Sequence, residues 1–392
     1  MKKLWLVFIA ITLIALLLVP SVAAAEEQNE NPTQNSEIYT FVEQLCELNK
    51  ANDKNVVRDF LVSKFNEALS GANDVEVGEQ IFSIEGLNES FVNLEAKLTK
   101  SGATKQIIIG AHYDTAYGIE GAGDNACGIA ALYLTMKTLA RNSTLPYNVV
   151  FVAFDAEERG LWGSQHYVET MSAQVITNTL VMFNIDTIAT GDNLYVMCEN
   201  KSTDLAKLIL SNAEGVREKP YAKGIFGNIY DAFGYGYYEM IQGTDHTPFR
   251  LAGIPTASLF SGAFTITGYV ENSDPNKALM NTSSDTFANL IKLHPNFESR
   301  ITAVSDAIVK TVTSGNFTNV AENARKQLVN LNFWYNRWWA ILAVAVIAIV
   351  AIVLAIVYYR KLQKNALIGE TEIKSQTVFD KPKAEDIFTF KK

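Results

Sequence analysis

IIIGAHYDTAYGIEGAGDNACG, residues 107–128, passes from an apolar run through a polar, Gly-rich loop and back to an apolar pattern. Ile107, Ile108 and Ile109 predict a buried strand. The run stops at Gly110, and His112 and Asp114 follow at once. The loop then carries the chain to Asp124 and Asn125. From Gly128, the residues Ile129, Leu132, Tyr133, Met136, Leu139 and Ala140 recur at helical spacing. Strand, loop and helix in this order predict an α/β fold whose polar residues gather where a strand ends. In open α/β sheets, ligands bind at that carboxyl edge.

Two later stretches repeat the pattern. NVVFVAF, residues 148–154, leads into Asp155, Glu157 and Glu158, and LVMFNI, residues 180–185, leads into Asp186. Charged residues after a strand need no explanation beyond a wet loop, and that accounts for any one of these sites. It accounts poorly for His, Asp, Glu-Glu and Asp recurring at three of them. Imidazole with carboxylates is the donor set expected for zinc and similar divalent ions.

HYD at 112–114, GAGDNACG at 121–128, FDAEERGLWGS at 154–164, NID at 184–186 and TDHTPF at 244–249 together resemble the M28 family of zinc metallopeptidases. The match runs over roughly residues 90–290, and five separate motifs make it specific. The resemblance implies a mixed, mostly parallel central sheet flanked by helices on both faces. It also implies removal of terminal residues from peptides by two zinc ions, most often as an aminopeptidase. On this resemblance His112 and Asp186 bind one metal, Asp124 bridges both, and Glu158 binds the second. Asp114 orients the His112 ring. Glu157 is the general base that takes a proton from the attacking water and passes it to the departing amine. Asn184 and Asp245 are expected to support the ligands. His246 is either a substrate contact or a structural histidine.

The pattern departs from the family at one ligand. A Tyr-His pair usually precedes a segment ending in Asp-Thr, and here Met280 and Asn281 stand in those places within LMNTSSDT, residues 279–286. Asn281 is therefore expected as a weaker donor to the second metal, because an amide oxygen is a poorer zinc donor than imidazole. Asn281 also begins one of five N-x-Ser/Thr sequons, with Asn88, Asn142, Asn200 and Asn316. Ligation and glycosylation are competing fates for it, and an unglycosylated Asn281 facing the site is the expectation. The missing histidine also admits an alternative, a non-catalytic receptor or scaffold on a peptidase fold. A one-metal, glutaminyl-cyclase-like acyltransferase fits less well, since those enzymes also use that histidine. The intact His112, Asp124, Glu157, Glu158 and Asp186 favour the enzyme.

Outward from this centre, the chain has 392 residues, 48% hydrophobic and 19% charged, with a formal net charge of -9. That is ample for a large core, and with no basic stripe it argues against nucleic acid as a partner. Residues 1–25 predict a signal peptide, with Lys2 and Lys3, the apolar run from Leu4 to Val19, and Ala23 to Ala25 as cleavage site, over the alternative of an uncleaved anchor. Residues 26–36 are a polar, disordered linker. The peptidase-like domain spans 37–320, opening with two helices over 37–70 and closing with one helix from Asp285 to about Lys310. The Tyr- and Gly-rich segment 221–238 suits a mobile loop beside a cleft, or a loop whose aromatics cover the core. A juxtamembrane segment, 321–337, leads to a transmembrane helix over 338–359. Trp338 and Trp339 mark one interface of that helix, and Tyr358 and Tyr359 the other. Arg360, Lys361 and Lys364 then place the tail, 360–392, in the cytoplasm and the catalytic domain outside, with residues 365–392 expected to be disordered. The expected partners are peptide or protein termini and the bilayer. Cys46, Cys127 and Cys198 are the only cysteines, and an odd number in an exported domain leaves at least one thiol free or paired with another chain. Cys127 is read as a small buried residue.

Overall fold

The computed structural model describes residues 36–51, 53–116, 118–142, 144–198, 203–220, 244–265, 268–335 and 338–379. The expected signal peptide, most of the linker, the Tyr-rich segment 221–238 and the end of the tail lie outside the described residues.

Two helices open the domain, α1 (Glu37–Lys50) and α2 (Lys54–Ala68). Ser36 caps the first by accepting the Tyr39 N–H, and Asp53 caps the second by accepting the Asn55 N–H. The strands are β1 (Val75–Ser83), β2 (Ser90–Leu98), β3 (Gln106–His112), β4 (Asn148–Phe154), β5 (Thr179–Ile185), β6 (Asn193–Met197), β7 (Val216–Glu218), β8 (Thr256–Thr265) and β9 (Gly268–Val270). They form one sheet in the order β1-β2-β4-β3-β5-β8-β6-β7, with β9 paired to β8. The central strands β4, β3, β5 and β8 run parallel, while β1, β2 and β6 pair antiparallel with their neighbours β2, β4 and β8. The sheet is therefore mixed, as expected from the sequence.

Parallel central strands must be covered on both faces, which is why they read as continuous apolar runs. Alternation assigns each residue its side. Ile107 and Ile109 pack into the larger core cluster and Ile108 into the smaller one. Val149, Phe151 and Ala153 likewise face the first, and Val150, Val152 and Phe154 the second. On the larger side lie α1, α2, α3 (Cys127–Ala140), α6 (Asp204–Asn212) and α9 (Phe297–Val312). On the smaller side lie α4 (Trp162–Thr170), α5 (Ala173–Asn178) and α7 (His246–Leu251). Fully burying each apolar side chain contributes about 1.5–3 kcal/mol.

Three expectations are corrected. The closing helix is not continuous from Asp285. α8 (Phe287–Leu293) ends before α9 begins, and His294 between them leaves the helical region with φ -131° and ψ 61°. Pro295 follows, and its ring disfavours helical backbone in the residue before it. The packed domain does not end at residue 320 either. In α10 (Phe317–Tyr335), Phe317, Ala321, Ala324 and Leu328 are buried at helical spacing, so the packed domain continues past residue 320. Arg325 donates from that helix to the carbonyls of Gly253 at 2.8 Å and Ile176 at 3.2 Å, and to that of Thr179. Finally, α11 (Trp338–Phe379) carries helix well into the tail expected to be disordered. The segment after Arg360 is rich in Lys, Leu, Gln, Ala and Glu, all good helix formers, and Pro does not occur before Pro382.

Candidate metal centre at the strand ends

β3 lies between β4 and β5, with which it is paired in parallel, so the ends of all three strands open on one edge. His112 is the last residue of β3 and pairs with Phe154, the last of β4. Tyr113 N–H still reaches the Phe154 carbonyl at 2.9 Å, and Asp186 N–H reaches the Leu259 carbonyl of β8 at 3.1 Å. The polar residues that follow therefore leave from a shared, rigid edge. Ala156 and Thr187 turn the chain there with left-handed φ of 59° and 47°. For a β-branched residue such as Thr187 this is a strained conformation, of the kind that persists where surrounding structure holds it.

His112, Asp124 and Asp186 are brought together, each offering a ligand atom within 4.8 Å of the others. His112 Nε2 is 3.1 Å from Asp124 Oδ1 and 3.3 Å from Asp186 Oδ1, and the ring is 1% exposed. His112 Nδ1 lies 3.1 Å from the Asp114 carbonyl, an acceptor only. The Nδ1 hydrogen therefore points there and leaves the Nε2 lone pair facing two carboxylate oxygens. Three lone pairs converging in a buried place need a cation between them. Burial acts to lower the His112 pKa, but Glu157 and Asp186, joined by hydrogen bonding to Asp114 and Asp124, prevail and hold it well above the usual range. The donor set and its burial fit a divalent metal ion, with a proton on Nε2 as the substitute cation.

The loops are fixed by groups whose importance the motifs did not disclose. Asp285 accepts the Gly123 N–H at 2.7 Å and the Asp124 N–H at 3.0 Å, holding the backbone that presents Asp124. Burial pushes its carboxyl up to about 7 despite those bonds. Asn125 donates to the Ile185 carbonyl at 2.9 Å and accepts the Thr187 N–H at 3.2 Å, tying the Asp124 loop to the Asp186 loop. Thr244 donates to Asp186 Oδ2 at 2.7 Å and itself receives the Asn184 amide at 2.6 Å. Asp155 accepts from Val92 N–H at 2.9 Å, Tyr113 hydroxyl at 3.1 Å and Arg58 at 3.3 Å, pinning the start of the Glu-Glu turn to α2 and β2. The available signal was position: Asp155 directly follows a strand, and Asp285 directly precedes Thr286, which caps α8.

Residues 93–304, more than half the chain, match the model of Peptidase family M28. The chain belongs to peptidase family M28. Among M28-like proteins it is similar to Aminopeptidase YwaD of Bacillus subtilis, 30% identical over 162 residues, which are 40% of this chain and 32% of YwaD. It is similar also to the probable lipoprotein aminopeptidase LpqL of Mycobacterium tuberculosis, 28% identical over 172 residues, 42% of this chain and 33% of LpqL. The match spans about a third of the length of these curated relatives. The crystal structure of LapA from Legionella pneumophila shares the fold at a TM-score of 0.50 and 22% identity, over 69% of this chain and 71% of LapA.

The remaining expected M28 site residues fall as follows. Asp114 meets the His112 ring with its backbone carbonyl, 3.1 Å from Nδ1, and with Oδ1, 3.6 Å from it. Its carboxylate also accepts the Glu157 N–H at 3.0 Å and the Glu158 N–H at 3.2 Å. Glu157 is half-buried at the edge of the trio, and burial, with Asp186, Asp245 and Asp124 nearby, pushes its carboxyl up to about 10 against the opposing pull of His112. Positive charge held at the trio opposes that shift. Glu158 is pushed up to about 7, by burial first and Asp124 second. It stands outside the trio and borders a cleft of about 220 Å³ whose walls include Phe91, Tyr113, Thr115 and Arg159. Asn281 stands against Glu158. With its amide nitrogen turned to that carboxylate it lies 3.0 Å from both oxygens and donates to them; the opposite orientation sets the amide oxygen against two carboxylate oxygens. Asp245 and His246 are buried, and burial raises Asp245 to about 7 and lowers His246 to about 3. Both His246 ring nitrogens lack a hydrogen-bond partner among the described residues.

Proposed function

We propose that this chain is a zinc-dependent exopeptidase, acting as an aminopeptidase on peptide or protein termini, and anchored by α11 with its peptidase domain on the outer face of a membrane. The observation that carries the reading is the buried convergence of His112, Asp124 and Asp186 with Glu157 beside it, in a chain of the M28 family. A zinc ion held by that trio would supply a Lewis acid for the scissile carbonyl and lower the pKa of water. Glu157 takes the proton of the attacking water and delivers it to the departing amine. Asp114 keeps the backbone of Glu157 and Glu158 in register with the edge, so the base does not depend on a mobile loop. Asn125 and Asp285 keep Asp124 in reach of His112. The names of YwaD, an aminopeptidase, and LpqL, a probable lipoprotein aminopeptidase, support the choice of amino over carboxyl terminus. A scaffold without activity would have no use for Glu157 at this position.

The test is hydrolysis of aminoacyl p-nitroanilides and their N-acetylated counterparts by the full chain purified in detergent. The free-amine compounds should be cleaved and the blocked ones spared. A chelator should abolish the rate and zinc should restore it. Cleavage that ignores the chelator, or preference for blocked substrates, overturns the reading.

A further inference from the structure

The second metal position raises a question that follows from the metal-dependent reading above. All four histidines lie within the described residues. His112 belongs to the trio, His166 stacks on Phe82 with ring centroids 4.8 Å apart, and His294 Nε2 is 2.8 Å from the Lys277 carbonyl. His246 lies within α7, outside the one group of metal-ligating side chains found among the described residues. No histidine therefore joins Glu158 in a ligand cluster, and Asn281 stands against it instead.

We propose that this chain holds a single divalent ion at His112, Asp124 and Asp186, and that the Glu158–Asn281 pair fills the place of a second. The direction of the amide is the first reason. The end of its amide lies 3.0 Å from both Glu158 oxygens, and with the nitrogen turned toward them it donates to both and occupies the lone pairs a metal would use. Turning the amide over would present its oxygen, which is a weaker zinc ligand than imidazole and would give up both charge-assisted bonds. The loop is the second reason. Glu271 accepts the Leu279 N–H at 2.9 Å and the Met280 N–H at 3.0 Å, and the Thr282 N–H closes on the Leu279 carbonyl at 3.1 Å. Asn281 sits between them with φ 57°, a conformation that asparagine tolerates. The side chain is thus aimed at Glu158 by a braced turn.

Metal-stripped full chain in detergent, titrated with zinc by calorimetry and checked by elemental analysis, decides the matter. Wild type should show one binding event, at about one zinc per chain. Glu158→Gln should keep that event with an affinity change smaller than the tenfold or more expected at a group that supports a metal. Asn281→His should add a second, weaker event, and histidine is among the residues that tolerate left-handed backbone. Two events in wild type overturn the proposal, as does zinc weakened tenfold or lost in Glu158→Gln, a single event in folded Asn281→His, or no uptake at all. The wild-type and Glu158→Gln titrations decide even if Asn281→His does not fold. One bound zinc without peptide hydrolysis would count against the peptidase reading and leave this inference standing.

Discussion

Asp114 holds Glu157 by its backbone N–H, so Glu157→Gln should change chemistry and little else. Zinc content should match wild type while turnover falls by about two to four orders of magnitude. A rate near wild type would remove Glu157 from the mechanism. Asp285 acts at one remove, since its two bonds hold the backbone around Asp124 rather than the ion. Asp285→Asn keeps the shape but replaces one accepting oxygen by a donor facing an N–H. Zinc affinity should drop about 10- to 100-fold, and unchanged affinity would make Asp285 merely structural. His246 supplies a pH dependence. Burial beside Arg250 keeps its ring neutral, with a pKa near 3 in the fold, against about 6.5 when unfolded. Below about 6.5 the unfolded chain binds a proton that the folded chain refuses, so stability falls as pH drops toward 3, by about 1.4 kcal/mol per unit. His246→Leu should flatten the melting temperature between pH 6.5 and 4 relative to wild type. An identical slope in the two proteins would show that other groups carry the acid sensitivity.

At the level of elements, the strands were readable because buried parallel strands have no polar side to blur them. Ile107–Ile109, residues 148–154 and residues 180–185 all emerge as strands with the polar residues at their ends. The carboxylates that meet His112 were readable for the same reason, since each lies within a few residues of a strand or helix end. What side chains do to one another was not readable. Asp114 uses its carbonyl on one residue and its carboxylate on two others, and no spacing rule separates these. Asn281 could be named as a replacement for histidine, but the direction of its amide depends on how the 279–282 turn is braced. The break at His294 was missed because the apolar pattern runs straight through it, although Pro295 was there to signal it. Close packing between elements is testable at Gly128, in the first turn of α3. A Cβ there would come 2.1 Å from Asn125 Oδ1, the oxygen that accepts the Thr187 N–H. Gly128→Ala should therefore displace the clamp between the Asp124 and Asp186 loops, costing about 1–3 kcal/mol by overpacking and weakening zinc binding together with stability. Loss of stability with zinc affinity intact would separate Asn125 from the metal centre.

On the scale of the whole molecule, α11 is too long for one purpose. Its 42 residues, at about 1.5 Å each, reach about twice the hydrocarbon thickness of a bilayer. Leu342–Asn365 is the one described stretch long and apolar enough to cross a membrane, and none of it is buried against the protein. Val344, Ile347, Leu354 and Val357 are all more than half exposed, an arrangement that water penalises and lipid does not. The helix continues beyond this stretch through Arg360, Lys361 and Lys364, cations that favour the cytoplasmic side. On the other side, Leu328 of α10 is fully buried in the domain. If α11 is only an anchor, a chain ending at Tyr335 should be soluble and melt close to the full chain, because every buried contact of α10 is retained. Full-length protein should stay with membranes through salt and alkaline washing and leave them in detergent. With the domain outside, protease added to intact cells should digest it and spare a tag after Lys392. A truncated chain that unfolds would show that α11 packs on the domain, and a domain protected in intact cells would reverse the orientation.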